Sequence, residues 1–211
     1  MQIYSQDNIA GANDFTSIYT ALAASGGSSL VGYLPAGTGA VATTVQAKLR
    51  TSVSVKDFGA VGDFNPTTGA GTDSRAAIQL ALTYAQSISG GCEVVFPPGG
   101  YYLGAGYADS TVGVVAQLLL GSRSSANAAT NVVLRGAGAT IYQGAAGTAL
   151  FMANCTDCRV TGLRMVGYVG GTLGASREYD TLITMGYNCK NTLIDSNYIT
   201  KSSLTLQEAF I

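Results

Sequence analysis

No histidine and no tryptophan occur among the 211 residues. The missing imidazole removes histidine acid–base chemistry, a serine–histidine nucleophile pair and the commonest transition-metal ligand at once. Charge is sparse as well: Asp, Glu, Lys and Arg make up 11% of the chain and sum to a formal net charge of −1. No cluster of Lys or Arg forms the positive footprint that a nucleic acid or an anionic membrane surface requires. Neither is expected as a partner. With 47% apolar residues against so few charges, the chain is poorly suited to life as a free monomer, whose surface wants charge spread over it. An assembly is expected, either with other subunits or as part of a larger object.

Long apolar runs are missing too. No stretch is long enough to span a bilayer, and Met1-Gln2-Ile3-Tyr4 has neither the basic start nor the apolar run of a secretory signal. The four cysteines, Cys92, Cys155, Cys158 and Cys189, are too few and too scattered for a disulfide framework. Cys155-Thr156-Asp157-Cys158 has the CxxC spacing, but no second pair and no histidine completes a zinc site. These thiols read as small apolar fillers. Neither a metal nor a cofactor is expected.

What is present falls into three stretches. In residues 1–29, Asn13 or Asp14 can cap a helix in which Phe15, Ile18, Tyr19 and Leu22 recur at i, i+3, i+4 and i+7, and Gly26-Gly27 supplies the stop. So short a helix is marginal alone, so its apolar stripe must pack on its own domain or on another chain. In residues 30–52, Leu30–Val41 reads as a short strand followed by a Gly-rich connector, and Thr43–Arg50 as a two-turn helix. From residue 53 onward come Val53–Asp63 as an opening strand, a loop to Gly71, and a helix of about 73–89 capped by Thr72 or Asp73. Ala77, Ile78, Ala81, Leu82, Ala85 and Ile88 form its inward face.

Beyond Cys92 the pattern is short apolar strands split by Gly, Asn and Asp: Val94–Phe96, Gly113–Leu120, Asn131–Leu134, Thr140–Tyr142, Ala149–Met152, Arg159–Met165, Thr181–Met185 and Thr192–Ile194. An internal repeat runs through them. Asn154-Cys155-Thr156-Asp157-Cys158-Arg159-Val160 aligns with Asn188-Cys189-Lys190-Asn191-Thr192-Leu193-Ile194, and Thr130-Asn131-Val132-Val133-Leu134 is an earlier copy. Asn131, Asp157 and Asn191 then occupy one corner, where Asn and Asp tolerate a left-handed turn. Cys155 and Cys189 should stack in neighbouring coils. Repeats of this length with insertions are a solenoid signature; a β-sandwich is the alternative.

The order Ser52-Val53-Ser54-Val55-Lys56-Asp57-Phe58-Gly59-Ala60-Val61-Gly62-Asp63, then Thr72-Asp73-Ser74-Arg75-Ala76-Ala77-Ile78-Gln79, then Gly90–Leu103 with its Pro97-Pro98-Gly99 turn, resembles the opening of pectate-lyase-like proteins, and most closely that of bacteriophage tailspikes. The stretch from Gly32 to Arg50 also resembles the tailspike neck. Two departures stand out: Phe64 replaces a glycine of the family pattern, and Ser74-Arg75 stands where Asp-Thr is usual.

The resemblance implies a mainly β fold, a right-handed parallel β-helix capped by an α-helix and preceded by a small helical attachment and neck segment. Residues 1–29 would attach to the virion or trimerise through Phe15, Ile18, Tyr19 and Leu22; residues 30–52 would be the neck. Residues 53–211 would start a β-helix expected to continue past Ile211. It further implies a homotrimer in the phage tail, held by tail, baseplate or adaptor proteins and directed at host surface polysaccharide, with depolymerase activity in the full-length protein. A cellular polysaccharide lyase or hydrolase, or a structural adaptor carrying another receptor-binding protein, are the other readings.

Polysaccharide hydrolysis takes two carboxylates across a groove, and elimination takes a base with a charge neutraliser. After the helix the acids are Glu93, Asp109, Asp157, Glu178, Asp180, Asp195 and Glu208. Glu178 and Asp180 flank Tyr179 at the end of the longest insertion and are the catalytic candidates. Asp157, Asn191 and Asp195 read as turn residues, and by the resemblance the catalytic carboxylates lie mostly beyond this chain. Tyr101, Tyr102, Tyr107, Tyr168, Tyr179, Tyr187 and Tyr198 are candidate faces for stacking a sugar.

Overall fold

The computed structural model describes residues 15–108, 115–124, 128–167 and 182–200. The chain divides into two compact units, residues 1–51 and 52–211. In the first, α1 spans Phe15–Ala23 and a 3-10 turn Gly27–Ser29 follows. A two-residue strand β1, Gly32–Tyr33, pairs antiparallel with β2, Thr43–Thr44. Helix α2, Val45–Leu49, then starts under a cap in which Ala47 N–H donates to Thr44 Oγ1 at 3.1 Å. The short strand expected at the start of Leu30–Val41 is β1, and the expected helix over 43–50 shrinks to α2, because the Thr44 hydroxyl sets the helix start. Gly27, whose missing side chain lets it lie against the Leu22 backbone, is the one buried residue among those of this unit whose burial is described. Among the described residues of the unit no apolar side chain is buried.

The second unit is mainly β, built from several parallel sheets with few helices. Its strands are β3 (Ser52–Ser54), β4 (Glu93–Phe96), β5 (Gly99–Tyr102), β6 (Ala116–Gly121), β7 (Ala129–Thr130), β8 (Val133–Gly136), β9 (Ala139–Tyr142), β10 (Thr148–Ala153), β11 (Cys155–Thr156), β12 (Arg159–Thr161), β13 (Arg164–Val166), β14 (Ile183–Gly186), β15 (Leu193–Asp195) and β16 (Tyr198–Thr200). The chain deals them out in rotation. One sheet collects β3, β4, β8, β12 and β15; a second β5, β9, β13 and β16; a third β6, β10 and β14.

Register turns this rotation into rows of like residues. Val53, Val94, Leu134, Val160 and Ile194 lie side by side in the first sheet. Tyr101, Ile141, Met165 and Ile199 do so in the second, and Leu118, Leu150 and Ile183 in the third. Val94, Leu134, Val160, Tyr101, Ile141, Met165, Leu118 and Leu150 from these rows are buried in one core. Each such side chain removes enough apolar surface from water to contribute roughly 1.5–3 kcal/mol.

The corners explain why the strands stop where they do. Asn131, Asp157 and Asn191 have φ of 55°, 54° and 49°, and each stands two residues before a strand of the first sheet. Asn and Asp accept this left-handed conformation at lower cost than other side chains. Their backbones are bonded in series: Asn131 N–H donates to Thr156 O at 3.0 Å and Asp157 N–H to Lys190 O at 3.0 Å. Lys190 N–H in turn donates to Cys155 O at 2.8 Å, which sets Cys155, fully buried, beside the half-buried Cys189.

Three expectations need correction. The opening strand is not 53–63 but Ser52–Ser54, because Ser54 and Asp57 form a capping box (Ser54 N–H to Asp57 Oδ2 2.8 Å, Lys56 N–H to Ser54 Oγ 3.1 Å) that turns Val55–Phe58 into a 3-10 turn. Such local side-chain bonds compete with strand pairing. Arg159–Met165 is two strands, broken at Gly162 with φ 68°. The helix is Arg75–Ser87, here α3, and its first turn follows Ser74 rather than Thr72 or Asp73. Ser74 is buried and exchanges two hydrogen bonds with Val61 (2.8 and 3.0 Å), while Asp73 Oδ1 accepts from Arg75 N–H at 2.9 Å.

Helix α3 buries Ile78, Ala81, Leu82 and Ala85. Its polar side is equally specific. Gln79 Nε2 donates to Leu119 O and Gln79 Oε1 accepts from Leu119 N–H, both at 2.9 Å. Gln86 Oε1 accepts from Gly121 N–H at 2.5 Å. Two glutamines thus do for β6 what a further strand would do, pairing an edge that would otherwise be open.

Candidate functional site

The carboxylates come first, since the expected chemistry depends on them. Glu93 receives Arg135 and Ser52, and Asp195 receives Arg159 through two 2.7 Å bonds together with Thr161 and Ser196. In the first sheet these pairs lie on the face opposite the buried row, each linking adjacent strands diagonally. Asp195, expected in a turn, is therefore a strand residue whose charge holds β15 to β12. Asp157 sits in its left-handed corner as expected. Asp63 accepts from both the N–H and the hydroxyl of Thr72, at 2.8 Å each. Glu178 and Asp180, the catalytic candidates, lie outside the described residues, as do Asp109 and Glu208.

Electrostatics follow from these partners. The Arg135 guanidinium holds the Glu93 carboxyl below its usual range, and Arg159 holds Asp195 down to about 2. A carboxyl depressed in the folded state stabilises fully above the unfolded value of about 3.9 and loses that contribution as pH falls through the folded value. With no histidine, stability should be flat between pH 7 and 5 and fall from about pH 4 toward 2, with the Asp195→Asn variant less acid-sensitive. Thermal unfolding across that range checks this; a midpoint already falling between pH 7 and 5 would contradict it.

Cys155 and Cys158 are buried, and the neighbouring Cys158 sulfur together with burial holds Cys155 as a thiol. Among the described residues no group of three or more His, Cys, Asp or Glu is placed to hold a metal ion, and no helix is long and apolar enough to cross a membrane.

The aromatic candidates divide. Tyr101 is fully buried, its hydroxyl donating to Pro97 O at 2.9 Å, and offers no face to a ligand. Tyr102 is half-buried under Phe64, which stacks on it at 4.9 Å and touches Tyr142 at 4.7 Å. Phe64 thus covers part of the outer face of the second sheet. Tyr187 and Tyr198 are exposed. Arg123 lies over Phe151 and Tyr187 and donates to the Tyr187 hydroxyl at 3.0 Å, while Arg164 lies over Tyr198 at 4.7 Å. Tyr107 is partly exposed, and its hydroxyl donates to Ala146 O. Tyr168 and Tyr179 lie outside the described residues.

A groove of about 530 Å³ opens between α3 and β6. Gln79, Thr83, Gln86 and Ser87 line its helix side, and Leu119, Gly121 and Ser122 its strand side. Sequence reasoning followed the apolar stripe of α3 and passed over this polar one, although its spacing of i, i+4, i+7 and i+8 marks one helix face. The candidate interface residues of α1 show the converse. Ile18, Tyr19 and Leu22 are 46%, 69% and 44% exposed; Phe15 begins the helix, and its side chain lies outside the described ones.

The fold of the second unit is mainly β, built from several parallel sheets with few helices, and a small unit with short helices precedes it in the sequence. No family model matches the chain, and no curated protein matches it in sequence. Among solved structures it is similar to the tailspike protein of E. coli bacteriophage HK620. The form in complex with pentasaccharide is 18% identical with a TM-score of 0.49, and a double mutant of the same tailspike is 17% identical with a TM-score of 0.49. In both, 90% of this chain and 42% of the tailspike chain are covered. The chain thus spans less than half the length of the solved structures it matches.

Proposed function

We propose that the chain is the N-terminal part of a trimeric phage receptor-binding tail protein: residues 1–29 attach or trimerise, residues 30–52 form a neck, and residues 53–211 begin a right-handed parallel β-helix directed at host surface polysaccharide. The observation that carries this reading is the opening module. Strand, capped turn, α3, β4, Pro-Gly turn and β5 follow in the order that the tailspike resemblance implies, and the strands beyond rotate through three parallel sheets. Right-handed crossover between parallel strands is the physical default. Depolymerisation, by glycosidase or lyase chemistry, belongs in this reading to the full-length protein. Glu93 and Asp195 are bound to arginines, which favours an adhesive role over catalysis for the described residues.

The first unit supports the trimer. A segment with exposed Ile18, Tyr19, Leu22, Leu30, Leu34, Val41 and Leu49, and with Gly27 as the one buried residue among those described, needs apolar partners to be stable. Light scattering of the purified chain should give three times its monomer mass, and Ile18→Asp with Leu22→Asp should reduce it to one. A monomer mass for the unsubstituted chain would sink the trimer.

A further inference from the structure

We infer that the groove between α3 and β6 is a binding subsite for a short uncharged oligosaccharide. The inference deepens the polysaccharide reading above and rests on it. Among the described residues the lining carries no charged side chain, which disfavours phosphates, nucleic acids and acidic sugars, because a carboxylate brought here would lose water without gaining a cation. Leu119 and Ala128 give the groove an apolar floor, but one too small to cover a lipid tail or the face of a hydrophobic helix. An added peptide strand finds no edge, since the β6 backbone at Leu119 and Gly121 is already paired by Gln79 and Gln86.

What remains is an ordered set of hydrogen-bonding groups. Each glutamine amide has one N–H in use, Gln79 on Leu119 O and Gln86 on Leu82 O at 3.1 Å, so each keeps a second. Thr83 and Ser87 spend their hydroxyl protons on Gln79 O (2.9 Å) and Tyr84 O (2.7 Å), leaving oxygens that accept. Ser122 Oγ accepts from Ser124 N–H at 3.2 Å and keeps its own proton to donate. Gln79, Thr83, Gln86 and Ser87 therefore offer donors and acceptors in turn along the helix side, each held by a bond to backbone so that little freedom is lost on binding. Sugar hydroxyls both donate and accept, and match such an arrangement. The volume lies within the roughly 300–1,000 Å³ typical of small-ligand sites.

The test uses the full chain and a panel of neutral tetrasaccharides (glucan, galactan, mannan and rhamnan), each beside a uronic-acid counterpart, with affinities from calorimetry or ligand-observed NMR. At least one neutral member should bind and its acidic counterpart should bind at least tenfold more weakly. Thr83→Ala with Ser87→Ala, exposed positions whose loss leaves the glutamine pairs intact, should weaken the neutral ligand about tenfold without shifting the thermal midpoint. A bulky Thr83→Trp should abolish binding. Unchanged affinity in these variants overturns the groove while leaving the proposed function standing. No preference for the neutral sugar overturns it likewise. If the unsubstituted chain binds no neutral tetrasaccharide, the groove falls; the polysaccharide reading falls with it only if no acidic member binds either, whereas the trimer is judged by mass alone.

Discussion

The double variant Gln79→Ala, Gln86→Ala should lose about 2–4 kcal/mol of stability and begin to self-associate at concentrations where the parent does not. Both effects have one cause. Gln79 satisfies the N–H and the carbonyl of Leu119 together, and Gln86 satisfies the N–H of Gly121. A backbone group left without a partner in a poorly hydrated place costs about 1–3 kcal/mol, and the open groove lets water recover part of that. The newly unpaired β6 edge can then pair with another chain. Gln79→Met separates packing from hydrogen bonding, since it keeps most of the volume and none of the bonds, and it should lose about half as much. Denaturant midpoints and sedimentation velocity read the two effects. Parental stability and a parental sedimentation profile in the double variant would show that α3 shields the sheet by packing alone.

That helix also shows what was and was not legible in the sequence. Its apolar stripe fixed its existence and inward face, because Ile78, Ala81, Leu82 and Ala85 repeat at the helical period. Its role as a surrogate strand was hidden, because Gln79 and Leu119 are forty residues apart and no local pattern connects them. The corners were legible for a different reason: Asn131, Asp157 and Asn191 recur at one place in a repeat, and their side chains suit a left-handed turn wherever they stand. Strand lengths were not. Gly162 divides Arg159–Met165, and the Ser54–Asp57 box cuts short the stretch after Val53; in each case a local hydrogen bond or a glycine turn overrode β propensity. The acids illustrate the same limit. Nothing local distinguishes Asp157, which turns a corner, from Asp195, which pairs with Arg159 across strands.

Phe96→Ala should cost about 3–5 kcal/mol, the range for removing a buried aromatic ring. The ring ends β4, is 1% exposed, and meets Tyr101 edge-on at 6.2 Å. Tyr101 is held by its own bond to Pro97 O, so it cannot swing into the space without breaking that bond. The cavity therefore persists. Phe96→Leu fills most of it and should lose less than half as much. Where the damage appears bears on architecture. In a solenoid each level touches only its neighbours, so stability is close to a sum over levels. Hydrogen exchange in Phe96→Ala should then accelerate in β3, α3, β4 and β5, while β12 and β13, two levels away in the same sheets, stay protected. In a sandwich the two sheets share one core, and a hole in it weakens every strand alike. Uniform acceleration across β4, β8, β12 and β15 would sink the β-helix; acceleration that fades with distance along the first sheet is the result the stacked rows of valine, leucine and isoleucine lead one to expect.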